Sequence, residues 1–231
     1  MPKFIRWARA KKASQPIYEL APENHKIKAG TPTMGGVVFI FSTIIATVLT
    51  AKLNNFYIVG GILTLALFSL IGIQDDYSKI SKEKNSAGLT PRMKLIFQFL
   101  CAASIAGILF LYGHSTELFT PFYKFPLFEM GVFGIVFWMF VIVGSSNAVN
   151  LTDGLDGLAT VPSILAFSTL SILVYVVGHA VFANYLLFPN IQIAGELAIM
   201  GSAICGALIA FLWFNSHPAE VFMGDSGSLP L

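Results

Sequence analysis

Polar residues recur at every third position in the stretch NAVNLTDGLDG, residues 147 to 157. They are Asn147, Asn150, Asp153 and Asp156, so a helical or tightly turned backbone would fan them across one side. The stretch separates two uncharged apolar runs, which puts carboxylates and carboxamides where a membrane-spanning segment would end. A well-capped turn between two helices would use the same residue types. The spacing alone therefore leaves a structural and a chemical interpretation open.

A pair of adjacent aspartates, Asp75 and Asp76, ends another apolar run and precedes a basic stretch. Neighbouring carboxylates repel each other, which raises the proton affinity of one of them unless a cation lies between them. The pair could therefore hold Mg²⁺, which prefers oxygen ligands, or provide a general base. An ordinary charged loop paired with its own lysines would have the same sequence character.

The glycine-rich segment GDSGS, residues 224 to 228, follows Phe222 at a short distance. Its backbone N–H groups could surround a phosphate, Asp225 could supply a metal ligand, and Phe222 could stack on a base. The segment lacks the GK[ST] sequence of a nucleoside triphosphate-binding loop, which argues against triphosphate hydrolysis. A glycine-rich turn before another helix is the alternative interpretation.

A further motif, KAGTPTMGG, occupies residues 28 to 36. Lys28 and the hydroxyl groups of Thr31 and Thr33 suit an anionic group held at a membrane surface. The motif also suits a helix start, with Thr31 as the cap and Pro32 in the first turn. Together with the carboxylates and the basic loop, it predicts Mg²⁺-assisted transfer between a nucleotide diphosphate and a substrate held in lipid.

Composition places these motifs in a membrane protein. Of the 231 residues, 55% are hydrophobic and 11% are charged, whereas soluble domains carry about 25% charged residues. Because lipid cannot satisfy an open backbone, we predict an all-α, polytopic membrane bundle that forms a single domain over residues 1–231. The predicted spans are about 35–53, 56–74, 95–112, 131–149, 161–179 and 196–214.

The basic residues predict the orientation of these spans. Twelve of the fourteen Lys and Arg residues lie within 3–28, 79–84 and 92–94, and basic loops remain in the cytoplasm. All five aspartates fall on this same side. The basic start of the chain could alternatively bind nucleic acid, but cytoplasmic retention explains it, so we predict no nucleic-acid partner. The predicted cytoplasmic segments are 1–34, 75–94, 150–160 and 215–231.

The loop 113–130, on the opposite face, could fold as a short hairpin on the membrane surface. Cys101 and Cys205 lie in apolar segments, so we predict no disulfide. Residues 1–34 contain no apolar run long enough for a signal peptide.

The motifs resemble those of the phospho-N-acetylmuramoyl-pentapeptide transferases, within the polyprenyl-phosphate N-acetylhexosamine-1-phosphate transferases. The resemblance covers nearly the whole chain in the same order. The similar segments are TPTMGG (31–36), DDYSK (75–79), GLTPRMK (88–94), NAVNLTDGLDGLA (147–159) and FLWFN…FMGDSGSL (211–229).

This resemblance implies an activity and a location. The enzymes transfer phospho-MurNAc-pentapeptide from UDP-MurNAc-pentapeptide to undecaprenyl phosphate with Mg²⁺, giving lipid I and UMP for peptidoglycan synthesis. A multi-pass protein of the bacterial inner (plasma) membrane is implied, with the active site facing the cytoplasm. Homodimers also occur in the family.

The resemblance also assigns roles to residues. Asp225 matches the magnesium-binding aspartate, and Asp75 matches the residue proposed to deprotonate the lipid phosphate, with Asp76 beside it; these three are the expected catalytic residues. Phe222 matches the ring that stacks on uracil. The other expected substrate-binding residues are Lys28, Thr33, Lys79, Lys94, Asn147, Asn150, Asp153, Asp156 and Asn215.

The chain departs from the family at both ends. The family has a spanning helix before TPTMGG and three more after GDxGS, with a histidine-rich loop among the latter. We therefore expect this chain to correspond to helices two to seven of ten, a piece that could be inactive alone. Two rival functions are the sister N-acetylglucosamine-1-phosphate transferase and, from another class, a membrane transporter. A transporter would carry ionisable residues within its spans, but no aspartate is predicted there.

Overall fold

The computed structural model describes residues 1–11, 13, 30–82, 87–120, 123 and 125–231. Its regular elements within these residues are helices. A 3₁₀ helix spans Gln192–Glu196. The α-helices are α1 (Pro2–Ala10), α2 (Gly36–Thr50), α3 (Phe56–Ser81), α4 (Pro91–Leu111), α5 (Phe133–Thr152), α6 (Thr160–Gly178), α7 (Ala180–Leu186), α8 (Leu197–Asn215) and α9 (Asp225–Ser228).

Helices form at all six predicted spans, and five segments in the described part of the chain have the length and apolarity to cross a membrane. These five are α3, α4, α5, α6 and the segment Gln192–Asn215. The sixth, α2, has 15 residues, about 22 Å at the helical rise, which is less than the roughly 30 Å hydrocarbon core. Its predicted end is wrong because the backbone is already extended at Ala51. The chain is a multi-pass helical membrane protein.

Helices α3 and α4 extend beyond their predicted bounds toward the site. Helix α3 has 26 residues and continues to Ser81, so Asp75 and Asp76 lie on a helix and not in a loop. Helix α4 begins at Pro91, because Thr90 accepts a hydrogen bond from the Met93 N–H and proline suits the first turn. These extensions give the polar side chains a rigid support.

The core lies where α2, α3 and α8 meet. Most of its buried apolar residues come from these helices and from the segment before α9, while Ile5 of α1 and Ala159, just before α6, complete it. A second cluster joins α3, α4 and α5 around Phe68. Large apolar side chains elsewhere remain exposed, such as Phe133 and Trp213, as expected for a surface that faces lipid.

Polar contacts also define the end of the bundle opposite the aspartates. Lys52 forms an ion pair with Glu196, Nζ to Oε1 3.3 Å. The segments 116–118 and 127–130 run beside each other, with the Leu118 N–H donating to the Phe128 carbonyl at 3.0 Å and one antiparallel bridge between Glu117 and Glu129. The antiparallel backbone pairing confirms the predicted hairpin itself. Cys101 and Cys205 are both free thiols.

Candidate active site

The aspartates of α3 and of the GDSGS segment form one cluster. Asp75, Asp76 and Asp225 each offer a carboxylate oxygen, and these oxygens lie within 4.8 Å of one another. Asp75 and Asp76 are each only 2% exposed. Two segments separated by about 150 positions in the sequence thus bring three acidic groups together in a buried place.

Glycine residues, which have no side chain, allow the GDSGS segment to approach the helices. A Cβ atom on Gly72 of α3 would overlap the backbone carbonyl of Asp225, and one on Gly36 of α2 would overlap the backbone of Gly227. Gly224 has a φ of +72°, a conformation that favours glycine. The short helix α9 therefore fits between α2 and α3 because of glycines in both helices and in the turn itself.

The Asp225 carboxylate is surrounded by donors from three helices. Its Oδ2 atom lies 3.0 Å from Lys79 Nζ and 2.8 Å from Lys94 Nζ. Its Oδ1 atom accepts a hydrogen bond of 2.7 Å from Asn150 Nδ2, which also donates to Ser228 Oγ at 2.7 Å. The side chain is thus held by α3, α4 and α5 at once.

Asp75 shares one of these lysines. Its Oδ2 atom pairs with Lys79 Nζ at 2.5 Å, and its Oδ1 atom accepts from the Leu89 N–H at 2.6 Å. Lys79 follows Asp75 by one helical turn, the spacing at which side chains of a helix meet. The Lys79 ammonium therefore bridges Asp75 and Asp225.

Burial and charge shift the pKa values of two aspartates outside the spanning helices in opposite directions. Burial, with the negative charges of Asp225 and Asp76, raises the pKa of Asp153 to about 8. Burial also favours the protonated form of Asp225. A hydrogen bond with Asp75 and the ammonium groups of Lys94 and Lys79 outweigh burial and hold the pKa of Asp225 below its usual range. Asp225 is therefore the persistent anion of the site, whereas Asp153 keeps its proton near neutral pH.

The cluster is chemically suited to a divalent metal ion. It supplies only carboxylate oxygens, the hard ligands that Mg²⁺ prefers. The bridging ammonium of Lys79 shows that positive charge is accommodated between Asp75 and Asp225. The acidic residues thus fit a metal site, and Asp225 is the expected ligand.

Thr33 and Phe222 belong to the two chain segments that flank the cluster. Thr33 is 1% exposed, and its hydroxyl has no hydrogen-bond partner among the described residues. The Phe222 N–H donates to the Pro32 carbonyl at 2.8 Å, so the TPTMGG and GDSGS segments run side by side. Lys28, also expected here, lies outside the described residues.

Three expected substrate-binding side chains bind other parts of the protein. Asn147 donates to Gln98 Oε1 at 2.7 Å. Asp156 Oδ2 lies 3.1 Å from His217 Nδ1 and accepts from the Ala219 N–H. The buried Asn215 amide contacts three groups that belong to Gly157, Thr160 and Val221. The structure therefore brings Asn150 and Asp153 to the cluster, whereas these three side chains brace the surrounding helices and turns.

Sequence reasoning did not select some residues that shape the site. Ser228 contacts Asn150, Ser69 donates to the Ser226 carbonyl at 3.2 Å, and Gln98 is fully buried beside Asn147. Gln98 could have been predicted as important, because a glutamine is unusual within an otherwise apolar helix. The serines gave no comparable signal, because small hydroxyl residues are common in membrane helices.

Comparison with known proteins identifies the family. Glycosyl transferase family 4 matches residues 58–231, which include the acidic cluster and both lysines. The chain belongs to this family. Residues 28–40 also match signature 1 of the phospho-N-acetylmuramoyl-pentapeptide-transferases, which is a part of the chain that precedes the family match.

Curated relatives in the family are closely similar. A phospho-N-acetylmuramoyl-pentapeptide-transferase of a Nitratiruptor species is 58% identical over 232 residues, covering 100% of this chain and 66% of the relative. Proteins of the same name from Campylobacter lari and Sulfurimonas denitrificans are each 56% identical, covering 100% of this chain and 66% and 65% of their own lengths. The chain therefore spans just under two thirds of these relatives.

Proposed function

We propose that the complete protein transfers phospho-MurNAc-pentapeptide from UDP-MurNAc-pentapeptide to undecaprenyl phosphate and releases UMP. The product would be lipid I, for peptidoglycan synthesis. The family, the names of the relatives and the membrane fold support this proposal. The observation that carries it is the cluster of Asp75, Asp76 and Asp225 with two lysines at one end of a membrane bundle.

The proposed cofactor is Mg²⁺, with Asp225 as its ligand. When bound, the ion would neutralise the diphosphate and the leaving phosphate, which is most of what phosphoryl transfer requires. Lys79 and Lys94 place two further positive charges beside Asp225, where they can bind phosphate oxygens. Asn150 fixes the Asp225 carboxylate through its hydrogen bond of 2.7 Å.

Asp75 is the proposed proton acceptor for the phosphate of the lipid substrate. Its carboxylate lies in the polar last turns of a membrane-length helix, at the level where the head group of a lipid substrate would be held. Asp153 and Phe222 are proposed to bind the nucleotide side of the donor, with the Phe222 ring stacked on uracil. Lys28 and Thr33 are proposed to line the substrate site. We also propose that the site faces the cytoplasm of a bacterial inner membrane, where UDP-linked precursors would reach it.

UMP release by the purified complete protein tests the proposed function. With UDP-MurNAc-pentapeptide, undecaprenyl phosphate and Mg²⁺, we expect turnover in the wild type and a loss of at least about a thousandfold in Asp225→Asn and Asp75→Asn. Glu196→Gln, at the other end of the bundle, is the matched control and should retain activity, because its partner Lys52 is 76% exposed. Near-normal turnover of either aspartate variant would refute its role.

The same assay separates the rival functions. Supplying UDP-N-acetylglucosamine in parallel would identify the sister transferase if only that donor yields UMP. A transporter would instead move substrate across sealed vesicles without UMP formation. Requirement of both UDP-MurNAc-pentapeptide and the lipid phosphate for UMP release is the result that we expect.

A further inference from the structure

Helix α3 presents two different rows of residues to the GDSGS segment. Asp75 and Lys79, one turn apart, meet the side chain of Asp225. Ser69, Gly72 and Asp76, spaced by three and four residues, meet its backbone instead. Residues at such spacings share a face of a helix, so adjacent aspartates in the sequence belong to different faces.

Both oxygens of Asp76 accept hydrogen bonds from the backbone of the segment. Oδ1 accepts from the Asp225 N–H at 3.1 Å, and Oδ2 accepts from the Ser226 N–H at 2.9 Å. These N–H groups belong to the first turn of α9, where N–H groups have no partner within the helix. Hydrogen bonds from N–H groups to a carboxylate are stronger than neutral ones. Asp76 thus supplies the α9 turn with the acceptors that the turn itself lacks.

Further contacts fix the same turn from the same row. Ser69 Oγ donates to the Ser226 carbonyl at 3.2 Å, and the absence of a side chain at Gly72 lets the Asp225 carbonyl lie against the helix. The backbone of residues 225 and 226 therefore receives one hydrogen bond from Ser69, donates two to Asp76, and fits into the space beside Gly72. The Cα atom that carries the Asp225 side chain lies within this held backbone.

We propose that Asp76 is a positioning residue, which holds the Asp225 backbone so that the Asp225 carboxylate faces Lys79, Lys94 and the metal, while Asp75 alone serves the proton transfer. This inference rests on the proposed function for its catalytic part. It revises the expectation that both aspartates of the pair act on the substrate. The hydrogen-bond geometry of Asp76 is the basis for the revision, because both of its oxygens contact protein backbone.

Amide hydrogen exchange tests the positioning directly and needs no activity. In the complete protein without Mg²⁺, Asp76→Asn can offer only one acceptor oxygen, and Asp76→Ala offers none. We expect exchange in the peptide covering residues 224–229 to accelerate by about tenfold in Asp76→Asn, and by more in Asp76→Ala. Asp75→Asn is the matched control and should leave this peptide as protected as in the wild type, since Asp75 does not contact its backbone. Unchanged exchange in the Asp76 variants would overturn the proposal.

Kinetics provide the second readout. We expect Asp76→Asn to retain measurable UMP release, to keep the acid limb of the wild-type pH profile, and to recover rate at raised Mg²⁺, because a displaced Asp225 binds the metal more weakly. Asp75→Asn should show neither residual activity nor rescue. Loss of the acid limb in Asp76→Asn would assign Asp76 to the chemistry and overturn the proposal.

A milder variant covers the case in which Asp76 variants fail to fold. Ser69→Ala removes one hydrogen bond to the same turn, so it should accelerate exchange in the same peptide by a few-fold, without changing exchange in α4. Equal exchange rates in Ser69→Ala and the wild type would then contradict the proposal that contacts from α3 hold the backbone of residues 225 and 226. If the wild type released no UMP, the proposed function would fail, while the exchange results would still decide whether Asp76 holds the turn.

Discussion

The Asp225 side chain shows how single residues produce the properties of this site. Two ammonium groups and one carboxamide contact its carboxylate within 3.0 Å. They hold it ionised although it is mostly buried, whereas Asp153, whose pKa is raised by burial and by the negative charges of Asp225 and Asp76, retains a proton up to a pH of about 8. Two aspartates of one site thus have different protonation states near neutral pH, because different charges surround them.

The raised pKa of Asp153 predicts a pH dependence of stability. The folded protein binds this proton up to a pH of about 8, whereas the unfolded chain releases it near pH 4. The stabilisation from Asp153 is therefore complete below about pH 4 and is lost as the pH rises through about 8, at up to about 1.4 kcal/mol per pH unit.

Asp153→Asn should remove this dependence, because the amide stays neutral. Between pH 6 and 9 in detergent without Mg²⁺, we expect the melting temperature of the wild type to fall relative to that of the variant. Parallel melting curves of the two proteins against pH would contradict the raised pKa of Asp153.

Residue spacing predicted only part of this site, for a geometric reason. Each helical residue turns by about 100°, so a repeat of three drifts steadily around the helix, and α5 itself ends at Thr152. Asn150 and Asp153, in the middle of the repeat, reach the cluster, whereas Asn147 lies against Gln98 and Asp156 against the segment 217–219. The acidic residues could be identified from the sequence. Their positions in space depend on the residue at which α5 ends, which the spacing did not predict.

At the scale of elements, the lengths of α3 and α4 place the chemistry. Hydropathy alone predicted an end near residue 74 for α3, because the apolar run stops there. The helix continues for seven residues to Ser81, since its polar end packs against α9. Such tertiary contacts cannot be read from the apolar pattern, although the positions of all six spans could be.

Close packing of α3 and α9 predicts a sharp difference between two glycines of one helix. A Cβ on Gly72 would overlap the Asp225 carbonyl, whereas a Cβ on Gly60 would have no neighbour within 4 Å. Gly72→Ala should therefore destabilise the protein by about 1–3 kcal/mol and lower UMP release at least about tenfold.

Gly60→Ala is the matched control, because alanine favours a helix by up to about 1 kcal/mol over glycine. We expect it to keep full activity and to melt at the same or a slightly higher temperature. Melting temperature in detergent and UMP release measure both effects. Full activity of Gly72→Ala would show that α9 does not need its close contact with α3.

At the scale of the whole molecule, the two ends of the bundle have different characters. One end holds the acidic cluster with Lys79 and Lys94, and the other holds the Lys52–Glu196 pair and the hairpin. The lengths of the apolar runs predicted which loops share a face, and the helices connect the loops as expected. A protein with such ends should adopt one orientation in the membrane.

Cysteine labelling tests that orientation. In a variant whose Cys101 and Cys205 are replaced by alanine, Lys82→Cys lies at the acidic end and Glu117→Cys at the hairpin end, and both positions are exposed. A membrane-impermeant maleimide should label Glu117→Cys in intact spheroplasts and Lys82→Cys only after permeabilisation. Labelling of Lys82→Cys in intact spheroplasts would reverse the proposed orientation.

The amide pair of Gln98 and Asn147 has a consequence for how α4 and α5 assemble after insertion into the bilayer. Sliding one helix past the other by a turn would leave both carboxamides in hydrocarbon, so misaligned pairings are penalised. Lys94 precedes Gln98 by one turn, and Asn150 follows Asn147 by almost one turn. The helix alignment that the two amides favour inside the membrane therefore places the Lys94 ammonium and the Asn150 carboxamide at the same depth near the membrane edge. Both groups bind the Asp225 carboxylate there.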